Sequence, residues 1–260
     1  VDTIELRQHT EPWVATIAGL GSVQVHADGT VDVAVTPDPD EPDSLREAAL
    51  HHGWGEPLAL VRQGFRLLRG TALVTPDRPG CLVLTGLATN TDMVIAHLLA
   101  AGWRPLADGV IPVATDRDGA IGDRGVVEAL PRTAPLLLAR RWARKAGLDA
   151  TPVRNDTDTV AVNVDAVTAP QPVVAVAQVR AHRPNDDTVR GLTGFETFEQ
   201  AAATLIANPA LHPTATTPAI EFTNHSRLAA VAHAEIAIGL DTLAADLEAI
   251  ANWWEGLVQP

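Results

Sequence analysis

The sequence predicts an α/β fold, with a mixed sheet packed by helices behind a β-rich N-terminal segment. Three observations carry that expectation. Short apolar runs such as Cys81-Leu82-Val83-Leu84 recur between stretches of helical spacing, the pattern of buried strands alternating with helices. Residues 22–36 instead alternate apolar and polar side chains around Asp28-Gly29, as a half-solvated hairpin does. The chain has 260 residues, 46% of them apolar, which is enough for one substantial globular domain.

In chain order, the first element is that hairpin, Ser22 to His26 and Thr30 to Thr36. The run Pro37-Asp-Pro-Asp-Glu-Pro-Asp43 is acidic and broken by proline, so residues 1–43 read as a β-rich segment with a linker and 44–260 as the α/β core. Ser44 followed by Glu47 has the spacing of a capping box and predicts a helix to about His52; a second helical pattern covers Pro57 to Phe65. A strand is expected from Gly70 to Thr75, a turn at Asp77-Arg-Pro-Gly80, and a buried strand from Cys81 to Thr85 that leads into a helix ending at Gly102. Further strands are expected at Val110 to Ala114, Val160 to Val164 and Val173 to Arg180. Helices are expected at Ala134 to Ala146, Phe195 to Ala207, Ser226 to Ala232 and Thr242 to Leu257, with a short strand, Glu235 to Ile238, before the last.

Composition bounds the chemistry. A formal charge of −13 opposes general affinity for nucleic acid or anionic lipid. No run of about 18 apolar residues could span a bilayer, and the opening Val1-Asp2-Thr3-Ile4-Glu5 lacks the basic start and apolar block of a signal peptide. A cytoplasmic protein with no membrane and no nucleic-acid partner is expected. The single cysteine, Cys81, lies among apolar residues and reads as a small buried hydrophobe. Lys145 is the sole lysine, hence the one candidate for a lysine phosphate clamp or a Schiff base. Tyrosine is absent and arginine far outnumbers lysine, a bias that a GC-rich genome produces.

The stretch Gly70-Thr-Ala-Leu-Val-Thr-Pro-Asp-Arg-Pro-Gly-Cys-Leu-Val-Leu-Thr-Gly86, running on to Ala101-Gly-Trp-Arg-Pro-Leu-Ala-Asp-Gly109, resembles the core of HPr kinase-related P-loop proteins, whose fold core is shared with phosphoenolpyruvate carboxykinase. In that family a strand pair leads into a phosphate loop, a helix, and a Gly-Trp-Arg-x-Leu-x-Asp-Asp strand start. Pro172 to Arg180 resembles a late core strand, and Arg227-Leu228 through Gly239 to Ile250 resembles the closing helix, strand and helix. The resemblance runs over residues 45–258, rests on order and spacing more than identities, and implies an HPr kinase-like P-loop core.

A working P-loop needs Gly-x-x-x-x-Gly-Lys-[Ser/Thr]: glycines let backbone N–H groups curl around the phosphates, the lysine neutralises charge and the hydroxyl ligates Mg²⁺. In this register only Gly86 survives; Thr91 replaces the second glycine, Asp92 the lysine and Met93 the hydroxyl residue. At about 4 Å and an effective dielectric near 20, a carboxylate against phosphate costs on the order of 4 kcal/mol. Downstream, Asp108 keeps the first position of the family's acidic pair and Gly109 holds the second. The resemblance therefore implies a vestigial nucleotide loop with no cofactor, in which Thr91 and Asp92 cap their helix.

Other candidates are weaker. Adjacent residues on a helix point about 100° apart, so His51-His52 do not suggest a metal site, and no His-x-x-x-His or cysteine cluster occurs. Asp116-Arg-Asp-Gly119 reads as a turn. Arg140, Arg141, Arg144 and Lys145 form the one basic cluster, a solvated helix face or a contact for an acidic partner. On the last helix Trp254 shares a face with Leu247 and Ile250, which puts Trp253 on the flank as a candidate docking residue. The expected function is a degenerate kinase-like pseudoenzyme that binds a protein or peptide. The rivals are a phosphotransferase or other transferase rebuilt around Asp92, Asp108 and Arg104, and a structural subunit of a phage or other assembly.

Overall fold

The computed structural model describes residues 4–7, 11–39, 42–116, 119–122, 126–132, 135–153, 158–183, 186–206 and 217–257. The N-terminal segment is a four-stranded antiparallel sheet, β1 (Ile4–Arg7), β2 (Trp13–Ile17), β3 (Gly21–Val25) and β4 (Val31–Val35), in sequential order. The expected hairpin is β3 with β4. Its turn is fastened by the Asp28 carboxylate, which accepts from the Thr30 N–H at 2.9 Å and the Thr30 hydroxyl at 2.7 Å. Alternate residues Ala15, Ile17, Val23 and Val25 are buried against Leu50, Leu58 and Leu67, so this sheet shares one core with the helices that follow it.

Those helices are α1 (Asp43–Leu50) and α2 (Glu56–Arg62). The capping box expected at Ser44 is not made: the helix starts at Asp43 behind Pro42, with no side-chain cap. Buried Arg46 ties the entry instead, through Asp38 at 3.1 Å and the carbonyl of Gly19. The helix expected to stop near His52 continues through a π-helical turn, His51–Gly55, in which the Glu56 N–H bonds the His51 carbonyl. It ends at Gly64, whose φ of 92° closes the last turn.

The core strands are β5 (Arg66–Arg69), β6 (Thr71–Val74), β7 (Cys81–Gly86), β8 (Arg104–Ala107), β9 (Val110–Val113), β10 (Glu128–Ala129), β14 (Gln171–Ala181), β15 (Val189–Gly191) and β16 (Ala232–Ile238). They form a nine-stranded mixed sheet. Strands β7, β14 and β16 run parallel, with Leu84 beside Ala177 and Ala177 beside Ala234, and β6 and β15 flank them antiparallel. The start of β14 also pairs with β10, which brings β9 and β5 into the same sheet.

Both faces are covered, which is why the central strands read as unbroken apolar runs. Leu82, Leu84, Ala177 and Ile236 pack beneath α3 (Ala88–Ala100) and α7 (Leu243–Leu257). Cys81, Val83 and Val176 face the opposite side with Ala201 of α5 (Phe195–Thr204) and Leu228 of α6 (Pro218–Ala229). Burial pushes the Cys81 thiol up to about 12, in keeping with the inert hydrophobe expected there.

A separate three-stranded sheet, β11 (Leu137–Ala139), β12 (Ala150–Pro152) and β13 (Thr159–Val162) in the order β11-β13-β12, carries the short helix α4 (Arg140–Lys145). The helix expected to begin at Ala134 therefore begins at Arg140; Ala134 itself lies outside the described residues. Likewise α6 spans Pro218–Ala229, opened by Thr217, whose hydroxyl accepts from the Ile220 N–H at 3.3 Å; the expected Ser226 start falls inside it. Of the turn expected at Asp116 to Gly119, residues 117 and 118 lie outside the described residues. Asp116 accepts from the Ala120 N–H at 3.0 Å. Among the described residues, no helix is long and apolar enough to cross a membrane.

Candidate functional site

Strand β7 joins α3 through Leu87 alone. The helix is already formed at Ala88, and the N–H groups of Asn90 and Thr91 both bond the Leu87 carbonyl, at 3.0 and 3.1 Å. Residues 88–93, expected as a phosphate loop, are thus helical, and no loop curls there to offer a ring of N–H groups. Thr91 turns its hydroxyl back to the same carbonyl at 3.0 Å, and both Thr91 and Met93 are buried.

Gly86 has a local reason to be glycine. Its φ is 129°, and a Cβ there would lie 2.3 Å from the Val179 carbonyl oxygen of β14. The residue serves strand packing in this chain, independently of any phosphate. Gly86→Ala should cost about 2–4 kcal/mol from combined backbone strain and steric overlap. A denaturant titration showing a loss below about 1 kcal/mol would mean that the β7–β14 contact can relax.

Asp92 sits one turn into α3, too deep to cap that helix as expected. Its Oδ2 accepts from the Ala139 N–H at 2.9 Å, at the residue that precedes α4. Asp108, in the turn between β8 and β9, accepts from the Thr71 hydroxyl at 2.5 Å and from the Leu137 N–H at 3.2 Å. The alternate backbone groups of this segment face β13: the Leu136 carbonyl accepts from the Val162 N–H at 3.0 Å. One side of β11 is therefore paired with a strand and the other with two carboxylates. Burial raises the Asp92 carboxyl, and the charge of Asp108 adds to the rise against the Ala139 N–H and Arg141. Burial also raises Asp108 against the opposing Thr71 hydroxyl, Leu137 N–H and Arg132.

Beyond α3, the carboxyl ends of β14 and β16 open onto a cleft of about 550 Å³. Ligands of α/β sheets commonly sit at such strand ends. The walls include Thr89 and Asn90 at the start of α3, Trp142, His182, and the cations Arg141 and Lys145. Both cations lie over the Trp142 ring, with the guanidinium 5.0 Å and the ammonium 4.8 Å from its centre. Arg140 and Arg144 are exposed on the same helix. Leu87 and Leu240 are exposed at the ends of β7 and β16, where an apolar ligand group could rest.

The other expected site residues lie apart from this cleft. Arg104 donates to the carbonyls of Asp165 at 3.3 Å and Ala166 at 3.0 Å, bracing that segment. Trp254 is buried, 5.3 Å from the ring of Trp103, whereas Trp253 is half-buried against the edge of the same core. His51 and His52, expected to diverge, are drawn together with Glu56 by the π-helical turn. In the sequence, Gly53 and Gly55 fall between the two expected helices, which gave no sign that the helix runs on through them.

No protein-family model matches the chain, and no curated protein matches it. Among solved structures it is similar to the Hpr(Ser) kinase/phosphatase from Coxiella burnetii, at 10% identity and a TM-score of 0.36, over 75% of this chain and 99% of that one.

Proposed function

We propose that this chain is a catalytically silent relative of the HPr kinase group that acts as a scaffold for a protein or peptide and does not transfer phosphate from ATP. One observation supports this reading above the others: Asp92 and Asp108, at the positions where the family resemblance puts phosphate and metal chemistry, hold the backbone of β11. A nucleotide would meet two carboxylates and a helix in place of a cationic loop. The cleft beside them combines the exposed Leu240 with Arg141 and Lys145, a chemistry suited to a peptide segment with acidic and apolar side chains.

Calorimetry tests both halves together, with Mg-ATP and GTP in one arm and acidic, leucine-containing peptides in the other. The nucleotides should give no binding tighter than about 10 μM, roughly −7 kcal/mol. Peptide binding should be lost in the double variant Arg141→Glu with Lys145→Glu. Nucleotide affinity above that limit sinks the silent reading, and peptide affinity indifferent to the double variant removes the cleft as the docking surface. The triple change Thr91→Gly, Asp92→Lys and Met93→Ser should not restore nucleotide binding, because the helix already starts at Ala88.

A further inference from the structure

We propose that His51, His52 and Glu56 form a site for one divalent cation of the zinc class, opening on the cleft between the N-terminal hairpin and the core. The π-helical turn makes the grouping. Glu56 follows His52 by four residues and His51 by five, and the i→i+5 hydrogen bonding of the turn places it over both. The Nδ1 atom of His52 lies 3.1 Å from Oε1 of Glu56 and that of His51 lies 3.6 Å from the same oxygen. All three donor atoms fall within 4.8 Å of one another. The rings are edge-on, with centres 5.1 Å apart and planes at 75°, so they do not stack, and both Nδ1 atoms lie near the same Glu56 oxygen.

Two imidazole nitrogens and one carboxylate oxygen are a donor set that suits zinc and its neighbours better than magnesium or calcium. The second carboxylate oxygen is already held: Arg132 donates to Oε2 at 2.5 Å while also bonding the His52 carbonyl at 2.9 Å and the Asp108 carbonyl at 3.2 Å. That clamp orients Glu56 and keeps Oε1 turned to the two imidazoles, where it could bind an ion in a monodentate way, the arrangement by which outer groups fix metal ligands. The cleft in front holds about 340 Å³ and is walled by Gly29, Val31, Ala59, Leu60 and Gln63. An ion with three protein ligands keeps its remaining positions for water or a small anionic ligand from that space. A π-helical turn within a helix is uncommon and is found often at functional sites, which fits its place here.

The test is equilibrium dialysis of the full chain against zinc alone, with cobalt as a second, coloured probe. One ion per chain should bind, and cobalt should develop the visible ligand-field bands of a site with nitrogen donors. His51→Ala, His52→Ala and Glu56→Gln should each weaken zinc binding by about tenfold or more, whereas His26→Gln should leave it unchanged. The histidines are partly exposed, with relative side-chain exposures of 39% and 44%, so both variants are expected to fold, as a far-ultraviolet dichroism spectrum would verify. Failure to saturate below about 100 μM free zinc, or equal affinity in the three ligand variants, overturns the proposal.

Discussion

Asp246→Ala is expected to remove about 3–5 kcal/mol of stability, through the loss of a buried carboxylate and the stranding of its donors. Asp246 is only 2% exposed. It accepts from the Gly239 N–H at 3.0 Å, the Thr242 hydroxyl at 2.7 Å and the Thr188 hydroxyl at 2.8 Å. Three chain segments therefore meet on one side chain: the end of β16, the start of α7 and the approach to β15. Burial pushes its carboxyl up, but the Gly239 N–H and the two hydroxyls outweigh that and hold it below the usual range. The sign follows from linkage. A depressed folded-state value contributes stability above the unfolded carboxylate range, near about 3.9, and that contribution disappears as the pH falls through the lower folded value. Denaturant midpoints of the wild type and Asp246→Asn should therefore converge on acidification. A gap that stays constant from neutral pH down to about 3 would show that the charge contributes nothing.

Trp254→Ala should cost about 3–5 kcal/mol, the range for removing a large buried aromatic side chain. The ring lies against Trp103 and closes the core cluster that includes Leu98, Leu99 and Ile250. Trp253→Ala, at the margin of the same cluster, should cost less than about 2 kcal/mol. Comparing the two urea midpoints checks both values. If they cost the same, Trp253 is ordinary core and is dropped as a docking residue; if Trp253→Ala is mild but abolishes self-association or partner capture, the docking role gains support.

Legibility in the sequence followed the range of the forces involved. Strands β7 and β14 were readable because two-sided burial writes an apolar run directly into the chain. Strand β11 was not. Leu136, Leu137, Leu138 and Ala139 resemble the start of the helix they precede, and their extended form depends on β13 and on carboxylates from residues 92 and 108, far away in sequence. Asp92 illustrates the same limit: its place near the beginning of α3 invited a capping role, yet its partner is Ala139. The resemblance singled out Gly86, Asp92 and Asp108 but gave no sign that residues 88–92 are helical. The approach of His51 and His52 to Glu56 was not legible, because ideal α-helical angles do not describe the π-helical turn His51–Gly55.

The central position of β14 has a kinetic consequence. Its partners β7 and β16 begin at Cys81 and Ala232, so each pairing closes a long stretch of chain before any hydrogen bond rewards it. Local hairpins such as β3 with β4 can form early, but the parallel centre of the sheet must wait for distant segments to arrive. Refolding from denaturant should therefore be slow for a chain of this size. Amides of Val176 and Ala177, paired on both sides, should be among the last to gain protection and, once the sheet has formed, among the last to exchange with solvent.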